Sequence, residues 1–335
     1  MGIYRSKAPF RISFAGGGTD IPKWFLQNGG QVISTTIDKY VYVTVELIES
    51  TSVNVHAYDL NIEKSFNIEN LNYDGNFDFC KAVLKHFKIK KGCNIYIHSD
   101  LPSGSGMGTS SSLLVALISV FSKISNQLLS KEEIAKLACE IERNELSQAG
   151  GYQDQYASSF GGLNFIKFDK DIEVNPIDMD FTKLYELNYR LILCYTGKTH
   201  ISSEIQAKMI KNYGKSDFIE GMKELKKLAL KIQGILRDTP IEKLDEFGYA
   251  LHEAWIAKKK LSNKITNEEI EKLYLYSLEN GAIGGKLLGA GGGGHLLLFV
   301  RSLKKGDLIK KLQKIGVTIV NFAFEKYGVT SWKVN

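Results

Sequence analysis

The chain has 335 residues, 44% hydrophobic and 24% charged, with 43 Lys and Arg against 37 Asp and Glu for a net charge of +6. That length can bury two ordinary cores, and the composition is that of a soluble globular protein. The mild basic excess suits anionic small molecules and is too weak to argue for nucleic acid, while no apolar run reaches the length of a membrane span and no secretory signal pattern opens the chain.

Met1-Gly-Ile-Tyr-Arg-Ser6 fits the formal myristoylation pattern, but it leads straight into a strand and no second membrane signal follows. Residues Arg11 to Ala15, Tyr40 to Ile48 and Cys93 to His98 read as strands from their β-branched and aromatic content. A glycine-rich run, Pro102-Ser-Gly-Ser-Gly-Met-Gly-Thr-Ser-Ser-Ser112, opens a helical pattern over Ser110 to Ser125. A second helix follows over Lys131 to Leu146, with Ile134, Leu137, Ala138 and Ile141 on one face, and Gly150-Gly151 stops it. After a strand at Leu163 to Phe168, the polar segment Asp169 to Glu186 carries Pro176 and marks the expected boundary between a domain of residues 1–185 and one of residues 186–335. The second domain reads as a strand at Tyr189 to Tyr195, a block of helices from about Ser202 to Glu279, then strand, helix, strand and strand, an α+β order with an antiparallel sheet.

A second glycine run, Leu288-Gly-Ala-Gly-Gly-Gly-Gly294, precedes the strand-like His295 to Val300. Glycine lets backbone amides approach a ligand closely, and a loop entering a helix N-terminus aims free N–H groups and a positive dipole end at an anion. Both runs therefore suggest phosphate. A Walker A loop is excluded, because Gly285-Lys286 is followed by Leu287 and preceded at the required place by Asn280. Gly289 to Gly294 satisfies G-x-G-x-x-G, a weak signal in so glycine-rich a run, and a tight connection without ligand is the bland alternative. Lys88, Lys90 and Lys91, and the run Lys258 to Lys260, read as solvated faces. Cys80, Cys93, Cys139 and Cys194 fall in apolar stretches without C-x-x-C spacing, so buried thiols in a reducing, cytoplasmic compartment are expected.

A third segment, Pro9-Phe-Arg-Ile-Ser-Phe-Ala-Gly-Gly-Gly-Thr-Asp20, puts a strand carrying Arg11 before a glycine turn that ends on a carboxylate. In this order and at these distances the three segments resemble the signature motifs of the GHMP kinases, the family of galactokinase, homoserine kinase, mevalonate kinase and phosphomevalonate kinase. The resemblance spans essentially the whole chain. It implies an α+β, two-domain GHMP kinase fold with an N-terminal mixed α/β domain that binds ATP and a C-terminal ferredoxin-like α+β domain.

The resemblance also implies roles. Asp154 would act on the acceptor hydroxyl, with Arg11 a cation near the reacting oxygens. Pro102, Gly104, Ser105, Gly106, Met107, Gly108, Thr109, Ser110 and Ser111 would wrap the triphosphate of ATP, with Ser110 and Glu142 holding Mg²⁺. By spacing alone Glu142 reads as a solvated helix face beside Arg143 and Lys136, whereas Asp154, set after a helix break among Gly151, Gln153 and Gln155, has no evident structural task. Asp20 would accept a sugar hydroxyl, with Gly17, Gly18, Thr19, Lys198, Thr199, Gly291, Gly292 and Gly293 lining the acceptor. Gly17-Gly18 stands where galactokinases have Glu-His, which argues against galactose.

Within the family, the combination of Ala8-Pro-Phe-Arg-Ile-Ser-Phe-Ala-Gly-Gly-Gly-Thr-Asp20, Tyr195-Thr-Gly-Lys-Thr-His200 and Gly284-Gly-Lys-Leu-Leu-Gly-Ala-Gly-Gly-Gly-Gly294 resembles the kinases that phosphorylate the anomeric hydroxyl of D-glycero-D-manno-heptose 7-phosphate. The expected partner is accordingly a small-molecule sugar phosphate, with neither nucleic acid nor membrane, and oligomeric state stays open. Fucose or mannose derivatives as acceptors, or a catalytically silent sugar sensor, are the alternatives; an intact Asp154 and Glu142 speak against the sensor. An acceptor that carries a phosphate needs cations away from the transferred group, and Arg5, Lys7 and Lys198 are the candidates.

Overall fold

The computed structural model describes residues 2–197 and 202–334. Its first part runs β1 (Ile3–Ala15), α1 (Pro22–Asn28), β2 (Gly30–Leu47), β3 (Ser52–Ala57), β4 (Ile62–Asn67), α2 (Asp78–His86), β5 (Cys93–Ser99), α3 (Thr109–Ile124), α4 (Lys131–Cys139), α5 (Gln153–Phe160), β6 (Leu163–Phe168) and β7 (Ile172–Pro176). There follow α6 (Phe181–Arg190), β8 (Leu191–Tyr195), α7 (Ser202–Lys211), α8 (Ser216–Asp238), α9 (Asp245–Lys259), α10 (Glu268–Glu279), β9 (Ala282–Leu287), β10 (His295–Val300), α11 (Lys305–Lys314), β11 (Thr318–Val320), β12 (Phe324–Glu325) and β13 (Thr330–Lys333).

Two sheets organise these elements. The larger has nine strands along the path β13-β1-β2-β5-β3-β4, with β6 and β12 also paired to β2 and β7 to β6. Long β2 makes this possible, since its Gly30–Thr35 half pairs with β6 and its Val41–Leu47 half with β5. Along that second half Val41, Val43 and Val45 are buried in alternation with Tyr40, Tyr42 and Thr44, the period of a half-buried strand. The smaller sheet is antiparallel throughout in the order β11-β8-β10-β9. Counted from β8, that is the 4-1-3-2 strand order of a ferredoxin-like unit.

α3 is buried on nearly every side, from Leu114 through Ser122, which explains why its sequence is apolar without a clear polar face. It packs against β1 and β2 on one side and α4 and α5 on the other. α4 starts on a full capping box, Ser130 with Glu133, and runs into a π-helical stretch at Glu140–Glu145. Phe218, Met222, Leu225, Ala229, Ile232 and Leu236 form the buried stripe of α8 at helical spacing.

The two sheets share one apolar core. Phe14 of β1 stacks edge to face on Phe247 of α9 at 5.1 Å, and Phe247 does the same on Phe299 of β10 at 5.2 Å. Each such buried ring contributes about 2 kcal/mol of burial. β12 and β13 lie beyond the expected boundary at 185/186 yet pair with β2 and β1, so the chain's last strands return to the first sheet. The polar segment 169–186 holds β7 and the start of α6, because Asp180 caps that helix by accepting from the amide of Thr182. The strand expected from Tyr189 begins at Leu191, where α6 ends.

Candidate active site

β1, the loop before α3 and the start of α5 meet around a cavity of about 420 Å³. α3 begins on Gly108 with no side-chain cap, so amides of its first turn are left without acceptors beside the cavity. Gly108 has φ +77°, and a Cβ there would stand 3.2 Å from Cγ of Asp154. A side chain there would strain the turn and push that carboxylate back from the helix start.

Arg11, near the end of β1, donates from Nε to Oδ1 of Asp154 at 2.7 Å and from Nη1 to the Gly106 carbonyl at 2.7 Å. One guanidinium thus ties the loop to the carboxylate. Asp154 remains 21% exposed toward the cavity while Arg11 is buried. Asp20 is buried and accepts from the amides of Gly18 at 2.7 Å and Gln153 at 3.0 Å. Burial pushes its carboxyl above the usual range, and the two backbone amides oppose that shift. Gly151 is where this carboxylate crowds the chain, since a Cβ there would lie 1.9 Å from Oδ2 of Asp20.

Glu142 is 3% exposed, so the solvated helix face expected from spacing is overturned. It sits in the π-helical stretch that continues α4, seven, four and three residues beyond the buried Ala135, Ala138 and Cys139. Its carboxylate accepts from Ser111 Oγ at 2.8 Å and from Gln155 Nε2, with Arg143 Nη1 3.2 Å away. Burial raises its pKa, against the pull of Arg143 and the two hydrogen bonds. The carboxylate and the hydroxyls of Ser110 and Ser111 form an all-oxygen donor set on the cavity wall, the chemistry a hard cation such as Mg²⁺ accepts. The hydroxyl bonded to Glu142 is that of Ser111; Ser110 borders the same cavity and is exposed.

Lys258 and Lys286 are the residues that sequence reasoning missed. The expectation of a solvated Lys258–Lys260 face fails at Lys258, which is buried and donates to the carbonyls of Leu287 at 2.9 Å and Gly289 at 2.6 Å. Its position was legible: Lys258 continues the stripe of Leu251, Ala254 and Trp255 at spacings of seven, four and three. Lys286, in a wholly buried β9, donates to the Ser13 carbonyl at 2.8 Å. Burial, reinforced by Arg11, lowers the Lys286 ammonium to about 7, and burial holds Lys258 well below its ordinary value.

The cavity brings together Arg11, Gly17, Gly18, Asp20, Gly104, Gly106, Gly108, Thr109, Ser110, Ser111, Glu142 and Asp154 from the expected set. Other members of that set do not line it. Pro102 is exposed, and Met107 is buried in the core. Ser105 faces inward, and its carbonyl meets Nδ1 of His295 at 2.8 Å. Thr19 holds the turn, donating from Oγ1 to Gly16 at 2.7 Å. Gly291, Gly292 and Gly293 sit behind the cavity, where the Gly292 amide donates to the Ile265 carbonyl at 2.8 Å; of that run only Gly289 and Ala290 reach the cavity. Lys198 and Thr199 lie outside the described residues. Arg5 and Lys7 do not line the cavity, and Lys7 instead covers the Tyr40 ring at 4.3 Å. No helix among the described residues is long and apolar enough to cross a membrane, and the four cysteines are buried and unpaired in disulfides.

The sequence profile of the GHMP kinases N terminal domain matches residues 77–162, and that of the GHMP kinases C terminal domain matches residues 232–316. The chain is 36% identical to the D-glycero-alpha-D-manno-heptose 7-phosphate kinase of Campylobacter jejuni, with 100% of both chains covered. It is 27% identical to the mevalonate kinase of Pyrococcus abyssi over 79% of this chain and 81% of that one. A crystal structure of a D-glycero-D-manno-heptose 1-phosphate kinase from Bacteroides thetaiotaomicron superposes with a TM-score of 0.83 at 29% identity, covering 99% of each chain. Full-length likeness in sequence, both matched domains and a common fold leave one conclusion: the chain is a kinase of the GHMP family.

Proposed function

We propose that this kinase transfers the γ-phosphoryl group of ATP to the anomeric hydroxyl of D-glycero-D-manno-heptose 7-phosphate, giving the 1,7-bisphosphate used to make nucleotide-activated heptose for surface polysaccharide. The observation that carries this reading is the placement of the Arg11–Asp154 pair. It stands beside the uncapped start of α3, in a cavity that two unpartnered buried polar atoms also border. Those atoms are Ser13 Oγ and Gln153 Oε1, buried and without hydrogen bonds among the described residues, with Gln153 bonded to Asp20 through its amide groups. Buried polar groups are rarely left so, and a polyhydroxylated acceptor would satisfy them.

Gly104, Gly106, Gly108 and the first-turn amides of α3 would hold the triphosphate, and Glu142 with Ser110 and Ser111 would hold Mg²⁺. Bound there, the metal would offset charge on the phosphate oxygens. Asp154 would orient the acceptor hydroxyl and take its proton, with Arg11 fixing the carboxylate. Asp20 would accept from a sugar hydroxyl.

A panel of free and phosphorylated heptose, fucose and mannose, assayed with ATP and read by phosphorus NMR, tests the assignment. The heptose 7-phosphate is expected to give the highest kcat/KM with the new phosphate at the anomeric position; preference for a free sugar, or for another position, overturns it. Asp154→Asn is expected to lower kcat by about 10²-fold or more with ATP affinity within a few-fold of the native enzyme. Native turnover in that variant would remove Asp154 from the chemistry.

A further inference from the structure

Lys258 and Lys286 have no task in the reading above. They arrive from α9 and β9, Arg11 arrives from β1, and all three border one cavity while 6%, 2% and 4% exposed. Their hydrogen bonds go to main-chain carbonyls, those of Leu287 and Gly289 for Lys258 and that of Ser13 for Lys286. Among the described residues neither lysine has a carboxylate within ion-pairing distance, since Asp154 is taken by Arg11 and Asp20 by the amides of Gly18 and Gln153. Ammonium groups buried without a counter-charge are costly to keep, and the two lysines, beside an Arg11 that is already paired, lack an anion.

The position of the cluster says which anion. Lys258 bonds the carbonyl of Gly289, and Gly289 lies so close to Gly106 that a Cβ on it would stand 2.5 Å from the Gly106 Cα. Arg11 bonds both Gly106 and Asp154. The cluster therefore borders the point where the phosphate loop meets the acceptor carboxylate, rather than a remote part of the acceptor. We propose that Lys258 and Lys286, with Arg11, form the seat of the phosphoryl group in transit and are catalytic residues of the transfer. This rests on the kinase reading. In the step, the acceptor oxygen bonds to the γ-phosphorus as the bond from that phosphorus to the β,γ-bridging oxygen breaks. The bond's electron pair leaves with ADP, and the hydroxyl proton passes to Asp154. Charge gathers on the three oxygens of the moving group, where fixed cations act most strongly.

The seat is coupled to protons. The charged groups facing Lys286 are Arg11 from β1, Lys258 from α9 and Asp20 from the turn after β1; those facing Lys258 are Lys286 and Arg11. With its pKa lowered to about 7, Lys286 is partly neutral at neutral pH in the free enzyme, and a bound anion draws a proton onto it. Affinity for an anion is then greatest below pH 7 and falls as pH rises above it.

Sulfate, a tetrahedral dianion over this whole range, is the probe. Titration calorimetry of the native protein at pH 8 in two buffers of different ionisation enthalpy is expected to show proton uptake, and affinity is expected to weaken from pH 6.5 to 8.5. Lys286→Met and, separately, Lys258→Met are expected to lose about tenfold or more in sulfate affinity, with the proton uptake gone in Lys286→Met. Each is expected to lower kcat by about 10²-fold while KM for ATP and for the sugar phosphate stays within about threefold. Tm is expected to stay at or above the native value, because an uncompensated buried charge has been removed. An active native enzyme beside variants that keep kcat and sulfate binding overturns the proposal alone. So does a loss confined to KM for the sugar phosphate, which would give the lysines to the acceptor's own phosphate. A native protein that transfers nothing from ATP overturns the kinase reading and the proposal with it.

Discussion

Gly104–Gly108 and Gly289–Gly294 are both rich in glycine and both resemble phosphate loops in the sequence, yet the first faces the cleft and the second mostly braces it. In the first, Gly104, Gly106 and Gly108 border the cavity and lead into α3. In the second, a Cβ on Gly291 would stand 2.7 Å from the Cα of Ile265, and one on Gly294 would stand 2.5 Å from the Ser105 carbonyl oxygen. The missing side chains there make room for neighbouring backbone. A glycine run therefore signals close approach, and only the fold tells whether a ligand or another stretch of chain does the approaching.

The largest expected effect lies in the first loop. Gly108→Ala puts a methyl group 3.2 Å from the Asp154 Cγ at a backbone φ of +77°, so the carboxylate must shift to admit it. A small displacement at the reacting centre can cost about 10²-fold in rate. We expect kcat to fall by about that much, with Tm lowered by only a few degrees. Native kcat in a folded Gly108→Ala variant would break the claim that this loop is fitted to the reaction.

Gly291→Ala should do the opposite. At φ +114° and with the main chain of Ile265 2.7 Å away, an added Cβ strains the backbone and forces the loop off its seat. We expect a stability loss of about 2–3 kcal/mol in chemical denaturation. The fraction that remains folded is expected to keep kcat and KM within a few-fold. A kcat loss matching that of Gly108→Ala, with stability untouched, would show that both loops serve the ligand and would dissolve the contrast.

Most of what faces the cavity was legible because its signals are local. The turn Gly16–Asp20, the glycines before α3 and Asp154 after a helix break each announce themselves within a dozen residues. Glu142 reads as solvated from its charged neighbours Arg143 and Lys136, yet it lies seven, four and three residues beyond Ala135, Ala138 and Cys139 on the buried face of α4, so its burial was legible in the spacing, as that of Lys258 was. Lys286 was hidden. A lysine in a strand reads as exposed, and only the pairing of β9 with β10 beside β1 buries it against the Ser13 carbonyl. The return of β12 and β13 to the first sheet is a long-range pairing, and no feature of those few residues specifies it.

The smallest expected effect tests the joint between the loops. His295 follows the second loop directly, is 1% exposed, and rests against Tyr195 with ring centroids 5.2 Å apart. Its Nδ1 lies 2.8 Å from the Ser105 carbonyl, so Nδ1 carries the proton and donates it to the first loop. Burial lowers the pKa of this imidazole, and the bond to Ser105 opposes the shift. The sign follows from proton counts. Below the unfolded value of about 6.5 the unfolded chain binds a proton that the native state resists, so stability is fully present above that pH and is lost as pH falls through the lower folded value. His295→Phe keeps most of the volume and the contact with Tyr195 but removes the donor. It is expected to cost about 1 kcal/mol at pH 8, to flatten the fall in stability between pH 6.5 and 5, and to raise KM for ATP a few-fold with kcat nearly unchanged. A structural histidine with no hold on the first loop would move stability alone, so a KM for ATP equal to the native value would cut the link between the brace and the loop it braces.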